Sequence, residues 1–164
     1  MESLNQSQLK ELLRYDELTG QFIWLKQQNS RALVGSIAGS ICKNGYVVIG
    51  INNIGYSAHR LAFLYMIGEI PEAIDHINGQ KSCNIWSNLR MATSSQNRLN
   101  SKVMSNNELR VKGVCWVESR KRFKACVTDS AKNRIRKYFK QLTEATKWLE
   151  DMRQKHHGEF ACNG

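Results

Sequence analysis

No stretch of this sequence approaches the ~20 consecutive apolar residues that a membrane-crossing helix needs, which excludes a transmembrane span. The start, Met1-Glu2-Ser3-Leu4-Asn5-Gln6, lacks the basic cluster and apolar run of a secretory signal, so an intracellular, cytoplasmic protein is expected. The five cysteines, Cys42, Cys83, Cys115, Cys126 and Cys162, are odd in number and contain no CxxC pair. Neither a disulfide framework nor a zinc knuckle is expected from them, and buried or incidental thiols are the simplest reading. Acidic residues are scarce, 14 Asp/Glu against 24 Lys/Arg, for a net charge of +10.

What is present supports packed cores. The chain of 164 residues is 41% hydrophobic and 9% aromatic, enough for one medium domain or two small ones. The charge is placed unevenly. Residues 1–101 hold 9 Lys/Arg and 7 Asp/Glu, whereas residues 102–164 hold 15 and 7. A nearly neutral module followed by a polyanion-binding one is the expectation, against the blander reading of a solubilising basic surface.

Leu9, Leu12 and Leu13 have helical spacing, so a short helix is expected over residues ~6–14. Gln21 to Leu25 alternates as a strand, and Tyr46 to Ile51 reads as another. Asn52-Asn53-Ile54-Gly55 should turn that strand back into Tyr56-Ser57-Ala58. A helix from about His59 to Ile67 should end at Gly68, with Pro71 preventing its resumption. Asn100 to Asn107 is polar and aperiodic, a candidate linker. Three strands, ~112–117, ~122–128 and ~134–140, then precede a helix from about Glu144 to His156, with Thr143 as its expected N-cap. Ala145, Trp148, Leu149 and Met152 form that helix's apolar stripe.

The chemistry concentrates in Ile74-Asp75-His76-Ile77-Asn78-Gly79, then Asn88-Leu89-Arg90, then Gln96-Asn97. Neighbours on a strand point to opposite sides, so Asp75 and His76 can serve different partners. Asp75 with Asn97 supplies hard oxygen donors, which suit Mg²⁺ or Mn²⁺ rather than zinc. These residues, together with His59-Arg60-Leu61-Ala62-Phe63, resemble in order and spacing the HNH nuclease family with its ββα-metal fold, particularly phage and intron-encoded homing enzymes. The match covers about residues 45–100.

The resemblance implies that His76 is the general base, that Asp75 and Asn97 bind one metal ion, and that Asn88 steadies the loop and the orientation of His76. It makes Arg60 and Arg90 candidate DNA contacts, Arg90 holding a phosphate. His59 is expected to be a structural, hydrogen-bonding histidine beside the site. His156 and His157 are expected to be solvated residues complementing the dipole at the end of the last helix. Where the family usually has Asp-Asn-Arg in the connecting loop, this chain has Ser82-Cys83-Asn84. The last ligand is Asn97 rather than the His of many members.

Gly113-Val114-Cys115-Trp116, Arg122-Phe123-Lys124-Ala125, Tyr138-Phe139 and the closing helix resemble the plant ethylene-response-factor (APETALA-type) DNA-binding domain, three antiparallel strands on one helix. Alternation alone assigns the faces. Val114, Trp116, Phe123, Ala125, Val127 and Phe139 should face the helix, leaving Arg122, Lys124, Thr128, Arg134, Arg136, Tyr138 and Lys140 for DNA.

The expectation is therefore an α+β protein. It divides into an N-terminal extension (1–44), an HNH nuclease domain (45–101), a linker (102–109) and a DNA-binding domain (110–164). Its activity would be homing-type cleavage of double-stranded DNA by a phage-encoded protein acting in a bacterial host. It would nick as a monomer with one Mg²⁺ or Mn²⁺ per site and no small-molecule cofactor. The alternative is a non-catalytic DNA-binding regulator on a degenerate nuclease fold.

Overall fold

The first helix opens on a reciprocal cap: the Asn5 side chain accepts from the Gln8 N–H at 2.9 Å, and the Gln8 side chain accepts from the Asn5 N–H at 3.1 Å. Two helix-start donors are thereby satisfied. In the computed structural model, which describes residues 4–27, 32–100, 103, 107–129 and 133–158, this helix is α1 (Gln6–Leu12). It is shorter than expected because burial changes period at Leu13. Leu13 and Tyr15 are buried and alternate with more exposed Arg14 and Asp16, so the segment becomes β1 (Leu13–Asp16). The Asp16 carboxylate accepts from the N–H groups of Leu18 and Thr19, and this turn returns the chain as β2 (Gln21–Trp24).

A three-stranded antiparallel sheet follows, β3 (Ser40–Ile41), β4 (Val47–Ile51) and β5 (Ile54–Ser57), in that order. Ile51 pairs with Ile54 across a two-residue loop in which Asn52 and Asn53 both have positive φ, 50° and 64°. That is the loop whose twist matches a hairpin, and asparagine tolerates it. α2 (Ala58–Ile67) buries Ala58, His59, Leu61, Ala62, Phe63 and Leu64 and ends at Gly68, whose φ of 90° makes the expected left-handed cap. β6 (Ala73–His76) pairs antiparallel with β7 (Leu89–Ala92), and a single 3-10 turn, Trp86–Asn88, lies in the loop between them.

Two compact units result, residues 1–93 and 94–164. Residues 1–44, read from the sequence as an extension, lie in the first unit and give its core Leu9, Leu13, Tyr15, Phe22, Trp24 and Ala38. These pack with Ile49, Ile51, Leu61, Phe63, Ile74 and Leu89. Each Leu, Ile or Phe among them contributes about 1.5–3 kcal/mol by leaving water. The second compact unit begins at Ser94, so α3 (Ser94–Leu99) is counted with it.

The second unit is otherwise the expected sheet on one helix. β8 (Val114–Val117), β9 (Arg122–Thr128) and β10 (Arg134–Phe139) are antiparallel with β9 central. α4 (Leu142–His157) supplies Ala145 and Leu149 to a small core with Val114, Ala125 and Val127. Three expectations are corrected. The helix starts at Leu142, which packs against the core, so the N-cap is Gln141 and Thr143 lies inside the first turn. Trp116 pairs with Phe123 but is 43% exposed on an edge strand, its ring against Phe123 and its indole N–H donated to Glu118. His157 is more than a solvated helix end, because its Nε2 lies 2.8 Å from the Thr128 carbonyl oxygen. The expected linker falls largely outside the described residues, as does Cys162, and the other four cysteines are free thiols. No helix among the described residues is long and apolar enough to cross a membrane.

Candidate active site

β6 ends the first unit's core and carries two polar residues into it. Asp75 is 3% exposed and pairs in register with Arg90 of β7, so both side chains share one face of the ribbon. Arg90 Nε and Nη2 both donate to Asp75 Oδ2, at 2.8 and 2.6 Å. A buried carboxylate is costly without a cation, and this charge-assisted pair supplies one. Arg90, a candidate phosphate contact from the sequence, is thus placed as the partner of Asp75.

His76 projects from the next position, as strand alternation requires, and is also buried. Burial holds its pKa below the ordinary histidine range. Its hydrogen bond with Asn84 and the charge of Asp75 act against that shift, and Lys81 adds to it. The imidazole is therefore neutral at pH 7, the form a proton acceptor needs. His59 of α2 lies edge-on to it, ring centroids 5.2 Å apart, with Tyr46 5.0 Å from His59 and 6.0 Å from His76. Lys81 Nζ stands 4.8 Å above the Tyr46 ring. Burial first, then His76 and Arg60, push His59 down to about 4. The expected hydrogen bonding of His59 is not met at Nδ1, which is buried with no partner among the described residues. Arg60 is half-buried beside it on α2.

The loop from β6 to β7 is held at two levels. Asn88 accepts from the Asn78 N–H at 3.0 Å and donates to the Cys83 carbonyl at 2.8 Å, bridging the two ends of the loop. Asn78 in turn accepts from the Gln80 N–H at 2.8 Å. The second level passed unrecognised in the sequence. Asn84, 3% exposed, places Oδ1 3.3 Å from His76 Nε2, and its own carbonyl accepts the Tyr15 hydroxyl at 2.6 Å. In the sequence Asn84 was visible only as part of a departure from the expected loop. A single polar residue between Cys83 and Ile85 carries no periodic signal that marks it as buried.

Among the described residues no three His, Cys, Asp or Glu side chains cluster as a metal cage. One buried carboxylate nevertheless suits a Mg²⁺-type ion, which takes one or two carboxylates and completes its shell with water and phosphate. Asn97 stands half-buried on α3, in the second unit, so its place as a second ligand belongs to the proposal below.

The second unit presents a separate charged surface. Residues opposite each other in an antiparallel pair share a face. Arg134 lies opposite Thr128, Arg136 opposite Cys126, Tyr138 opposite Lys124, and Lys124 in turn opposite Cys115. Arg122 joins this face opposite Val117, and Lys140 follows β10 as an exposed residue. Arg122, Lys124, Arg134 and Arg136 thus share one face of the sheet with Cys115 and Cys126, whereas Lys140 lies just beyond the paired strands. Arg120 adds a guanidinium 4.6 Å above the Tyr138 ring.

Residues 56–99 match the family model described as HNH endonuclease. The chain is also similar to Protein 3.8 of Escherichia phage T7, 32% identical over 96 residues that cover 57% of this chain and 78% of that protein. No solved structure matches.

Proposed function

The chain belongs to the family of phage T7 Protein 3.8 and carries an HNH endonuclease domain, and on that premise we propose that it is a phage-encoded, metal-dependent endonuclease that hydrolyses DNA phosphodiester bonds. One observation carries the reading: an imidazole kept neutral by burial, His76, adjoins a buried carboxylate, Asp75, on the same strand end.

In this reading His76 takes the proton from the attacking water, and Asn88 fixes the loop that follows it. Asp75 and Asn97 would hold Mg²⁺ or Mn²⁺, which when bound supplies charge neutralisation at a phosphate oxygen and at the leaving 3′-oxygen. Arg90 holds the Asp75 carboxylate in place through its two hydrogen bonds, and Arg60, half-buried beside His59 on α2, would contact flanking phosphate. In-line hydrolysis leaves a 5′-phosphate and a 3′-hydroxyl. One site per chain makes nicking by a monomer the elementary event, as suits a homing-type enzyme.

The second unit is proposed as the anchor on duplex DNA, through Arg122, Lys124, Thr128, Arg134, Arg136, Tyr138 and Lys140. Arginines on a sheet suit bidentate contacts to phosphate or guanine. Its assignment to the ethylene-response-factor type rests on the sequence pattern and on the strand order with one helix behind it.

The test is to incubate supercoiled plasmid with the protein and Mg²⁺ or Mn²⁺, with and without EDTA. Nicked circles that EDTA abolishes are the expected result. Tight DNA binding with no nicking under either metal would replace this reading with a non-catalytic DNA-binding regulator.

A further inference from the structure

We propose that Asn84 is the positioning residue of His76, and that the β1–β2 hairpin exists in this unit to hold Asn84 in place. The inference rests on the reading of His76 as the general base.

The orientation of one amide decides which ring nitrogen carries the proton. Asn84 Nδ2 lies 3.3 Å from the Ser82 carbonyl oxygen, which can only accept, so the NH₂ end of the amide faces Ser82. The oxygen end must then face His76 Nε2, 3.3 Å away. An amide oxygen accepts, so Nε2 carries the ring proton and Nδ1 carries the lone pair. A base that takes a proton from water needs its lone pair on one defined nitrogen, and the partner of the other nitrogen decides which one. The contact is long for N–H···O, but both groups are buried, where bulk water does not compete.

Asn84 is in turn clamped from behind. Tyr15 of β1 donates its hydroxyl to the Asn84 carbonyl at 2.6 Å, and burial raises the tyrosine pKa so far that the hydroxyl remains a donor. The Trp86 N–H donates to the Glu17 carbonyl at 3.0 Å. Gly20, at φ 72°, approaches so closely that a Cβ there would stand 2.3 Å from the Asn84 carbonyl carbon and 2.4 Å from the Ile85 nitrogen. Three contacts from one hairpin thus bracket residues 84–86. Asn88, by contrast, bonds only loop backbone in its hydrogen bonds to Asn78 and Cys83, and so acts on the path of the loop rather than on the ring.

The experiment compares full-length wild type with Asn84→Leu, Asn84→Asp and Tyr15→Phe. Imidazole ¹⁵N NMR without metal or DNA reads the His76 tautomer, assigned by loss of its signals in His76→Gln. Single-turnover cleavage, read beside DNA affinity, separates rate from binding. Wild type should be the Nε2–H tautomer. Asn84→Leu should mix the tautomers and slow cleavage by about 10–100-fold, the usual effect of removing such an outer partner, with affinity unchanged. Asn84→Asp keeps an acceptor in place and should restore the tautomer and most of the rate. Tyr15→Phe should give a smaller loss of rate, again without loss of affinity. An Nδ1–H wild type, or an Asn84→Leu protein with unchanged tautomer and rate, would overturn the proposal. If Asn84→Leu does not fold, Tyr15→Phe decides, and a wild-type rate there overturns it too. Wild-type turnover by His76→Ala would instead remove the general-base reading while leaving the tautomer result standing.

Discussion

The two units use charge in opposite ways. The first, residues 1–93, has 8 Lys/Arg against 7 Asp/Glu, and it buries His59, Asp75, His76 and Asn84 beside a core of sixteen apolar side chains among its described residues. The second, residues 94–164, has 16 Lys/Arg against 7 Asp/Glu and, among its described residues, five buried apolar side chains at its centre with Arg153 as the one buried charge. Depth explains the difference. A catalytic group needs a protonation state that water alone would not give it, and that takes a core large enough to absorb buried polar atoms. A phosphate-binding arginine needs no tuning, only exposure on a rigid surface, and a thin sheet on one helix is sufficient.

The largest effect is expected at His76, in the first unit. His76→Ala should leave DNA affinity intact and slow cleavage by about 10²–10⁴-fold. Measured nicking rates at saturating DNA check this, and loss of affinity in parallel with rate would mean that the first unit also anchors the DNA. The next largest effect concerns the cores. Leu149→Ala removes a fully buried side chain of the second unit and should cost about 2–5 kcal/mol, most of what so small a core supplies. Calorimetry should reveal two transitions of which only the second unit's moves. A single transition shifting as a whole would mean that the units do not fold separately.

Much of this arrangement was legible in the sequence, and the exceptions have physical causes. The strands of the second unit and the ends of α2 were readable because alternation, helical spacing and Gly68 each act locally. Asp75, His76 and Asn88 were readable because the motif keeps them at fixed spacing. The β1 strand was not, since Leu12-Leu13 fits a helix or a strand equally and pairing with β2 decided the matter. Nor could the sequence indicate that Arg90 would meet Asp75, because that depends on the β6–β7 register across a twelve-residue loop. Asn84 was missed for the same reason: its partners are Tyr15, 69 residues away, and a ring whose orientation only the folded loop defines.

The buried histidines give the first unit a pH dependence of its own. Burial holds the folded pKa of His59 at about 4, below the ordinary 6.5 of an unfolded chain. Between those values the unfolded chain binds the extra proton, so stability from this group is whole above pH 6.5 and falls as the pH drops towards 4. The loss is at most about 3 kcal/mol. His76, also depressed, adds in the same direction. Urea midpoints at several pH values should therefore fall more steeply for wild type than for His59→Phe across this window. Parallel curves would mean that His59 is not held neutral.

The smallest expected effect is also the most local, because it compares two faces of one strand. Arg136 lies opposite Cys126 on the basic face of the second unit, whereas its neighbour Lys137 lies opposite Ala125, on the helix side, with its Nζ 5.4 Å from the Phe139 ring. Each substitution to alanine removes one positive charge from the same exposed strand. If DNA lies on the basic face, Arg136→Ala loses a contact and Lys137→Ala does not. A phosphate contact at Arg136 predicts that the log–log salt dependence of binding becomes shallower by about 0.9, uniformly across DNA sequences. A base contact predicts instead a loss of about 1–3 kcal/mol on the preferred site with relaxed specificity there. Salt titrations of both variants separate the cases. Equal changes in slope would mean that the second unit attracts DNA as a diffuse cloud of charge, and that the face assigned by strand alternation has no special role.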